Sequence, residues 1–334
     1  MHETVTPIDS QEKTADRSLR DYVGIMLRGV CMGASDIVPG VSGGTMAFIL
    51  GIYEELIDSI RAVGQPPFLQ ALFRLRIKEI FDILNWKFLL AVASGILLAI
   101  FTLSQGLEWL LITHPIVIWS FFFGLVLASV YVVSKRIDTW TPGLIMLLVL
   151  GTLGAYLLVG LVPVQTPETW WYLILSGALA ICAMILPGIS GAFILVLLGK
   201  YQFILSAVNQ RDIVSIALVG IGAVIGLVTF AQILGWLFKR YYNMMVALLT
   251  GLMLGSLRRV WPWKMDAAWL QDGAGMYILD SHGERIVTQQ INMLPDFSSS
   301  AGVTEFVIAV LLFSLGLGAI LLLDRLAGDK LQTT

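Results

Sequence analysis

Charge is the scarcest thing in this chain. Only 13% of its 334 residues are Asp, Glu, Lys or Arg, against about 25% in soluble domains, which excludes a water-exposed globular fold. The 21 Lys and Arg are scattered and nearly balanced by 23 Asp and Glu, for a formal charge of −2. Disorder and nucleic-acid binding are excluded with it. Cysteine and histidine are rare too. Cys31 and Cys182 stand far apart, as do His2, His114 and His282, so neither a disulfide framework nor a metal-ligand spacing is present and no cofactor is expected. Residues 1–22 contain no apolar run, and no cleavable signal peptide is expected. What the chain does have is apolar surface, at 57% of residues. It reads as an all-α, polytopic membrane protein.

A helix needs about 20 apolar residues to cross a hydrocarbon core of about 30 Å. Six stretches meet or approach that length: 88–112, 116–134, 144–162, 213–238, 244–257 and 306–323, of which 244–257 is short and needs its flanks. Two more, 21–60 and 170–207, are interrupted near their middles by Pro39-Gly40 and Pro187-Gly188. Proline removes a donor and glycine tolerates positive φ, so each break predicts a true turn. Arms of about 15 to 17 residues reach only about 23 Å, which suits a re-entrant hairpin better than a crossing.

The distribution of basic residues agrees. Lys13, Arg17 and Arg20 precede the first hairpin, and Arg61, Arg74, Arg76, Lys78 and Lys87 follow it, so both of its ends are expected on the cytoplasmic side. With six crossings, 14 basic residues fall inside and 6 outside, Arg28 being set aside within the hairpin. Both termini, 1–20 and 326–334, are expected to be cytoplasmic tails. Residues 66–86 alternate apolar and charged positions at helical spacing and predict an interfacial amphipathic helix. Residues 261–300 form the one sizeable polar excursion, expected outside, with a small β-hairpin turning around Asp280 to Gly283.

The two hairpins resemble each other. "IVPGVSGGTMAFILGIYEELI" from Ile37 matches "ILPGISGAFILVLLGKYQFIL" from Ile185 at eight of 21 positions, at a constant offset of 148. The match resumes at an offset of 127 from Gly95/Gly222 to Ser129/Ser256, and at 164 for "LGAYLL" from Leu153 against "LGAILL" from Leu317. Residues 21–165 and 166–325 therefore read as two copies of one unit, a re-entrant hairpin plus three crossings. Three is odd, so the second copy must be inverted, with the two hairpin tips meeting from opposite faces. Many transporters build their binding sites in this way.

Non-helical backbone at membrane depth is tolerated only beside protein or a wet cavity. The tips offer hydroxyls on Ser42, Thr45 and Ser190, and close backbone approach at Gly43, Gly44 and Gly191. A helix beginning there favours an anion, a phosphate or carboxylate. The plainer reading is that these small residues cap a helix and let the hairpins pack. Asp36, whose counterpart is Met184, either carries a coupling proton or cation, or caps a helix or pairs with an arginine. Arg28 either meets a substrate phosphate or snorkels to the headgroups. Arg258 and Arg259, beside "VWPW", either receive an anionic headgroup or hold lipid phosphates nonspecifically, and Trp261, Trp263 and Trp269 read as an interface belt.

The runs "GVCMGASDIVPGVSGGTMAFILGIYEELI" from Gly29, "LPGISGAFILVLLGKY" from Leu186 and "GLMLGSLRRVWPW" from Gly251 closely resemble the PopT family of polyprenyl-phosphate translocases. That resemblance spans about residues 21–323. It implies a flippase that returns undecaprenyl phosphate from the outer to the inner leaflet of the bacterial cytoplasmic membrane for envelope synthesis, not an enzyme. The tips also resemble the PGxSRSxxT signature of membrane undecaprenyl-pyrophosphate phosphatases, but Gly43-Gly44 and Gly191-Ala192 replace its arginine and second serine. The alternatives are an ion-coupled carrier of a small soluble anion and an intramembrane phosphatase.

Overall fold

The computed structural model describes residues 17–38, 41–164, 166–269, 276–277, 285 and 287–331, with side chains as far as residue 325. Pro39-Gly40 and the predicted turn at Asp280 to Gly283 lie outside them. Thirteen helices are present among the described residues: α1 (Leu19–Ile37), α2 (Gly43–Ile49), α3 (Tyr53–Val63), α4 (Pro66–Phe73), α5 (Ile77–Ile83), α6 (Trp86–Thr113), α7 (Pro115–Ser134), α8 (Pro142–Val159), α9 (Trp170–Ile185), α10 (Gly191–Leu197), α11 (Tyr201–Gln210), α12 (Ile213–Val260) and α13 (Ser300–Leu331). The polar excursion adds β1 (Lys264–Trp269) and β2 (Val287–Asn292), which pair antiparallel.

Local chemistry sets the helix starts. Ser18 and Asp21 form a capping box on α1, Thr141 caps α8 ahead of Pro142, Pro115 opens α7, and Asp212 caps α12. Among the described residues, five segments are long and apolar enough to cross a membrane: α6, α7, α8, Ile213–Arg240 of α12 and Ser300–Arg325 of α13. The pair α10 and α11 passes only if its 102° bend is counted within one span. α7 is 56% buried against 28% or less for the other four, so it forms the centre and the others present apolar faces outward. The predicted crossing at 244–257 is not among the five. It continues α12 beyond Tyr241, whose φ of −137° and ψ of 48° break the helix. His114, between α6 and α7, has nearly the same conformation, at −135° and 56°.

Helices pair where glycine lets backbones touch. α1 lies on α6, with Gly29 facing the Val92 carbonyl and Gly95 that of Met26; α9 lies on the first part of α12, with Gly177 facing Val219 and Gly222 facing Ile174. α7 packs on α13 through Gly124 against Phe313 and Gly316 against Phe121. α8 packs on the second part of α12 through Gly251 against Leu148 and Gly151 against Leu248. A Cβ at Gly222 would stand 1.9 Å from the Ile174 carbonyl oxygen, whereas one at Gly220 meets nothing within 4 Å. Gly222→Ala is therefore expected to destabilise by about 1–3 kcal/mol and Gly220→Ala to be neutral or mildly stabilising. Thermal unfolding of the two variants in detergent checks this, and equal midpoints would contradict the close pairing.

Three expectations need correction. The interfacial segment 66–86 is not one helix: Leu75, at a φ of 53°, separates α4 from α5. It still presents Phe73, Leu75, Ile77 and Phe81 outward. The returning arm of each hairpin is not one helix either, because Gly51 and Gly199, at φ of 73° and 63°, split α2 from α3 and α10 from α11. Beyond the candidate span, which ends at Arg325, the α13 helix continues through residues 326–331. The strands of the excursion lie further out than the predicted hairpin, at 264–269 and 287–292, although the Arg285 guanidinium lies 4.3 Å from the Tyr277 ring centre across the expected turn.

Candidate functional site

Each broken segment folds back on itself. Arg17, ahead of α1, grips Glu55 at the start of α3 with bonds of 2.6 and 2.9 Å. In the second hairpin Lys200, between α10 and α11, donates to the carbonyl of Thr166 ahead of α9 at 2.7 Å, and Val164 N–H donates to the carbonyl of Leu197 at 2.9 Å. Lys200 is only 1% exposed, and its ammonium is flanked by the Tyr172 and Phe203 rings.

Four of the basic residues expected inside contact neighbouring elements. Arg61 donates to Gln232 at 3.1 Å, Lys239 faces Asp58 at 3.8 Å, and Lys135 faces Asp324 at 3.8 Å. Arg136 donates to the carbonyl of Phe48, the penultimate residue of α2, at 2.9 Å.

The two tips touch. Ser42, in extended conformation as the N-cap of α2, accepts from Gly44 N–H at 3.1 Å, and its own hydroxyl faces the carbonyls of Met184 and Leu186 at 3.3 and 3.4 Å. In return Gly188 N–H donates to Thr45 Oγ1 at 2.9 Å. Ser42 and Thr45 are 2% and 1% exposed. Glycine is required at this contact, since a Cβ on Gly44 would stand 2.6 Å from the Ile185 carbonyl oxygen. Gly188, at a φ of 87°, makes the second turn.

The tips are not equivalent. Asp36 Oδ1 accepts from Gly43 N–H at 2.7 Å, so a carboxylate already occupies the start of α2. At the matching place Gly191 packs against Met184 and the Ala180 carbonyl. Ser190 begins α10 in extended conformation but makes no capping hydrogen bond. Of the two roles open to Asp36, helix capping is the one seen in this conformation.

Two expected site residues lie elsewhere. Arg28 is exposed on α1, ten residues before Val38 and thus about 15 Å down the helix axis. It lines a separate cavity of about 470 Å³ with Arg17, Arg20 and Asp21. Arg258 donates to the Tyr156 carbonyl at 2.9 Å with its guanidinium 4.4 Å from the centre of the Tyr156 ring, bracing α8 to α12. Its neighbour Arg259 instead enters a larger cavity of about 670 Å³, together with Lys264. Lys264 was missed because a lysine in a polar excursion is ordinarily solvated, and nothing in the sequence marks this one as buried. The tryptophans also do more than form a belt: Trp263 Nε1 donates to Glu305 at 3.1 Å and Trp261 Nε1 to the Met293 carbonyl at 2.8 Å.

Comparison with known proteins agrees with the resemblance carried by the tips. The family described as undecaprenyl phosphate translocase-like matches residues 32–278. The chain is similar to a polyprenyl-phosphate transporter of Vibrio cholerae serotype O1, at 41% identity over 311 residues, which cover 92% of this chain and 97% of the relative. It is also similar to a polyprenyl-phosphate transporter of Staphylococcus aureus, at 31% identity over 256 residues, 71% of this chain and 85% of the relative. No solved structure matches significantly. By the extent of both the family match and the relatives' coverage, the chain is a multi-pass membrane protein that belongs to the undecaprenyl phosphate translocase-like family.

Proposed function

We propose that this protein moves undecaprenyl phosphate from the outer to the inner leaflet of the bacterial cytoplasmic membrane, its phosphate passing between the two hairpin tips while the polyprenyl tail stays in lipid. The observation that carries the mechanism is the direct contact of the tips through Ser42, Thr45 and Gly188. A bare phosphate in hydrocarbon is prohibitively costly. A seam of hydroxyls and backbone amides, reached alternately from each face, shields the headgroup and leaves the chain outside.

Several features support an inverted repeat. The bounds of α2 and α10 differ by 148 at both ends, as do the starts of α3 and α11. The helix breaks at His114 and Tyr241 differ by 127, with matching dihedral angles. Ring pairs Trp109–His114 and Trp236–Tyr241 stand at the same relative places, 5.5 and 5.8 Å apart. The basic bias supports cytoplasmic termini.

Asp36 gives the cycle a gate. Its carboxylate holds the Gly43 amide that a phosphate would use. Protonation weakens that hold, so a coupling proton clears the place for the headgroup and its loss restores the internal anion. Ser42, Gly43, Gly44 and Thr45, with Ser190 and Gly191 opposite, then surround the phosphate, while Arg28 draws anionic headgroups to the hairpin's opening.

Vesicles holding the reconstituted protein and labelled polyprenyl phosphate test the reading. Flipping without phosphate release is expected. In the Ser42→Ala/Ser190→Ala variant it should fall at least about tenfold, since each lost bond to a charged group is worth about 1.5–3 kcal/mol. Unchanged flipping removes these hydroxyls from the path. Uptake of a soluble anion without lipid movement points to the carrier alternative, and liberated phosphate to an enzyme.

A further inference from the structure

We propose that the cavity where α12 meets β1 is a receiving site for a phosphate monoester, held between Arg259 and Lys264, from which the headgroup is passed toward the tips. The inference rests on the function proposed above only for its direction, since that reading puts this end of α12 at the outer leaflet.

Arg259 occupies the last turn of α12 and Lys264 the first position of β1. The intervening Trp261, Pro262 and Trp263 turn the chain, so both cations line one cavity. Arg259 Nε and Lys264 Nζ are shut off from solvent and have no hydrogen-bond partner among the described residues. Ring faces approach both groups: Lys264 Nζ lies 3.6 Å from the centre of the Trp119 ring, and the Arg259 guanidinium 5.2 Å from that of Phe193.

The carboxylates in the wall are engaged otherwise. Asp266 accepts from Gln290 at 2.8 Å, Asp296 accepts from the Ser298 backbone at 2.8 Å and its hydroxyl at 2.6 Å, and Glu305 accepts from Trp263 at 3.1 Å. Burial, and then the neighbouring Arg259 charge, push the Lys264 ammonium down to about 6.

Two neighbouring basic groups, desolvated and with no carboxylate at ion-pair distance among the described residues, are costly to keep charged and are candidates for a functional site, the lysine regaining its proton when an anion binds. A dianion would satisfy both at once. About 670 Å³ is far more room than a phosphate needs, and the remaining wall includes Leu111, Ile116, Met293 and Leu294, which suit the first isoprene units of a lipid tail. The aromatic faces beneath the cations hold them in place without neutralising them.

The test measures equilibrium binding to the full-length protein in nanodiscs, with undecaprenyl phosphate, undecaprenol and inorganic phosphate as probes. Arg259→Gln and Lys264→Gln are each expected to weaken undecaprenyl phosphate binding about tenfold or more, with undecaprenol binding unchanged, which also reports an intact fold. Lys264→Arg should retain most of the affinity. If inorganic phosphate binds the wild type as tightly as the lipid and is lost in both glutamine variants, the cavity takes the same anion from a soluble source. Wild-type affinity for both phosphates in both glutamine variants overturns the site. Failure of the tip reading is separable: it shows as normal flipping in the Ser42→Ala/Ser190→Ala variant, whatever the outer cavity binds.

Discussion

Valine in place of Gly44 is expected to slow lipid flipping about a hundredfold. The Cβ alone would stand 2.6 Å from a backbone oxygen of the opposing tip, and neither partner is a flexible side-chain end that can swing away. The tips must separate, and with them go the bonds from Ser42 to Met184 and from Gly188 to Thr45. Overpacking of about 1–3 kcal/mol and two lost hydrogen bonds of about 0.5–1.5 kcal/mol each together predict a fall of about a hundredfold. The flipping rate of labelled polyprenyl phosphate, at equal amounts of reconstituted protein, is the measurement. Gly24→Ala, where an added Cβ meets nothing within 4 Å, is the control and should flip as the wild type does. Near-normal flux in the valine variant would mean that the tips need not close on each other.

The second large effect concerns Asp36. Asparagine is nearly isosteric, and its amide oxygen can still accept from Gly43 N–H, so the cap on α2 survives in shape. What it cannot do is exchange a proton. Asp36→Asn is therefore expected to lose the whole increment of flux produced by a proton gradient, read by comparing vesicles with and without the gradient at one internal pH. A variant that still responds as the wild type does would leave Asp36 as a helix cap and nothing more. Met184, at the matching place in the second hairpin, offers no comparable exchange, so one carboxylate should account for the entire response.

Much of this arrangement was legible in the sequence because its punctuation is chemical. Proline, glycine and serine at Pro187, Gly188 and Ser190 leave few conformations open, and the second hairpin turns where they stand. The same residue types predicted a helix starting beyond the first break, and α2 begins at Gly43. The break at Leu75 was not legible, because the amphipathic spacing runs through it and leucine gives no sign of a left-handed backbone. Nor could the sequence separate Arg258 from Arg259. Consecutive residues on a helix point about 100° apart, and only the packing of α8 decides which one braces Tyr156 and which one enters the cavity.

The pairing of α8 with the second part of α12, and of α13 with α7, carries an evolutionary consequence. If the chain arose by duplication, a lone ancestral copy had no surface of its own on which to lay its third helix. That helix could be sheltered only by a sister molecule, each lending the other its last segment across a two-fold axis. The present protein would then be a domain-swapped homodimer joined end to end, obliged to invert its second copy from the start.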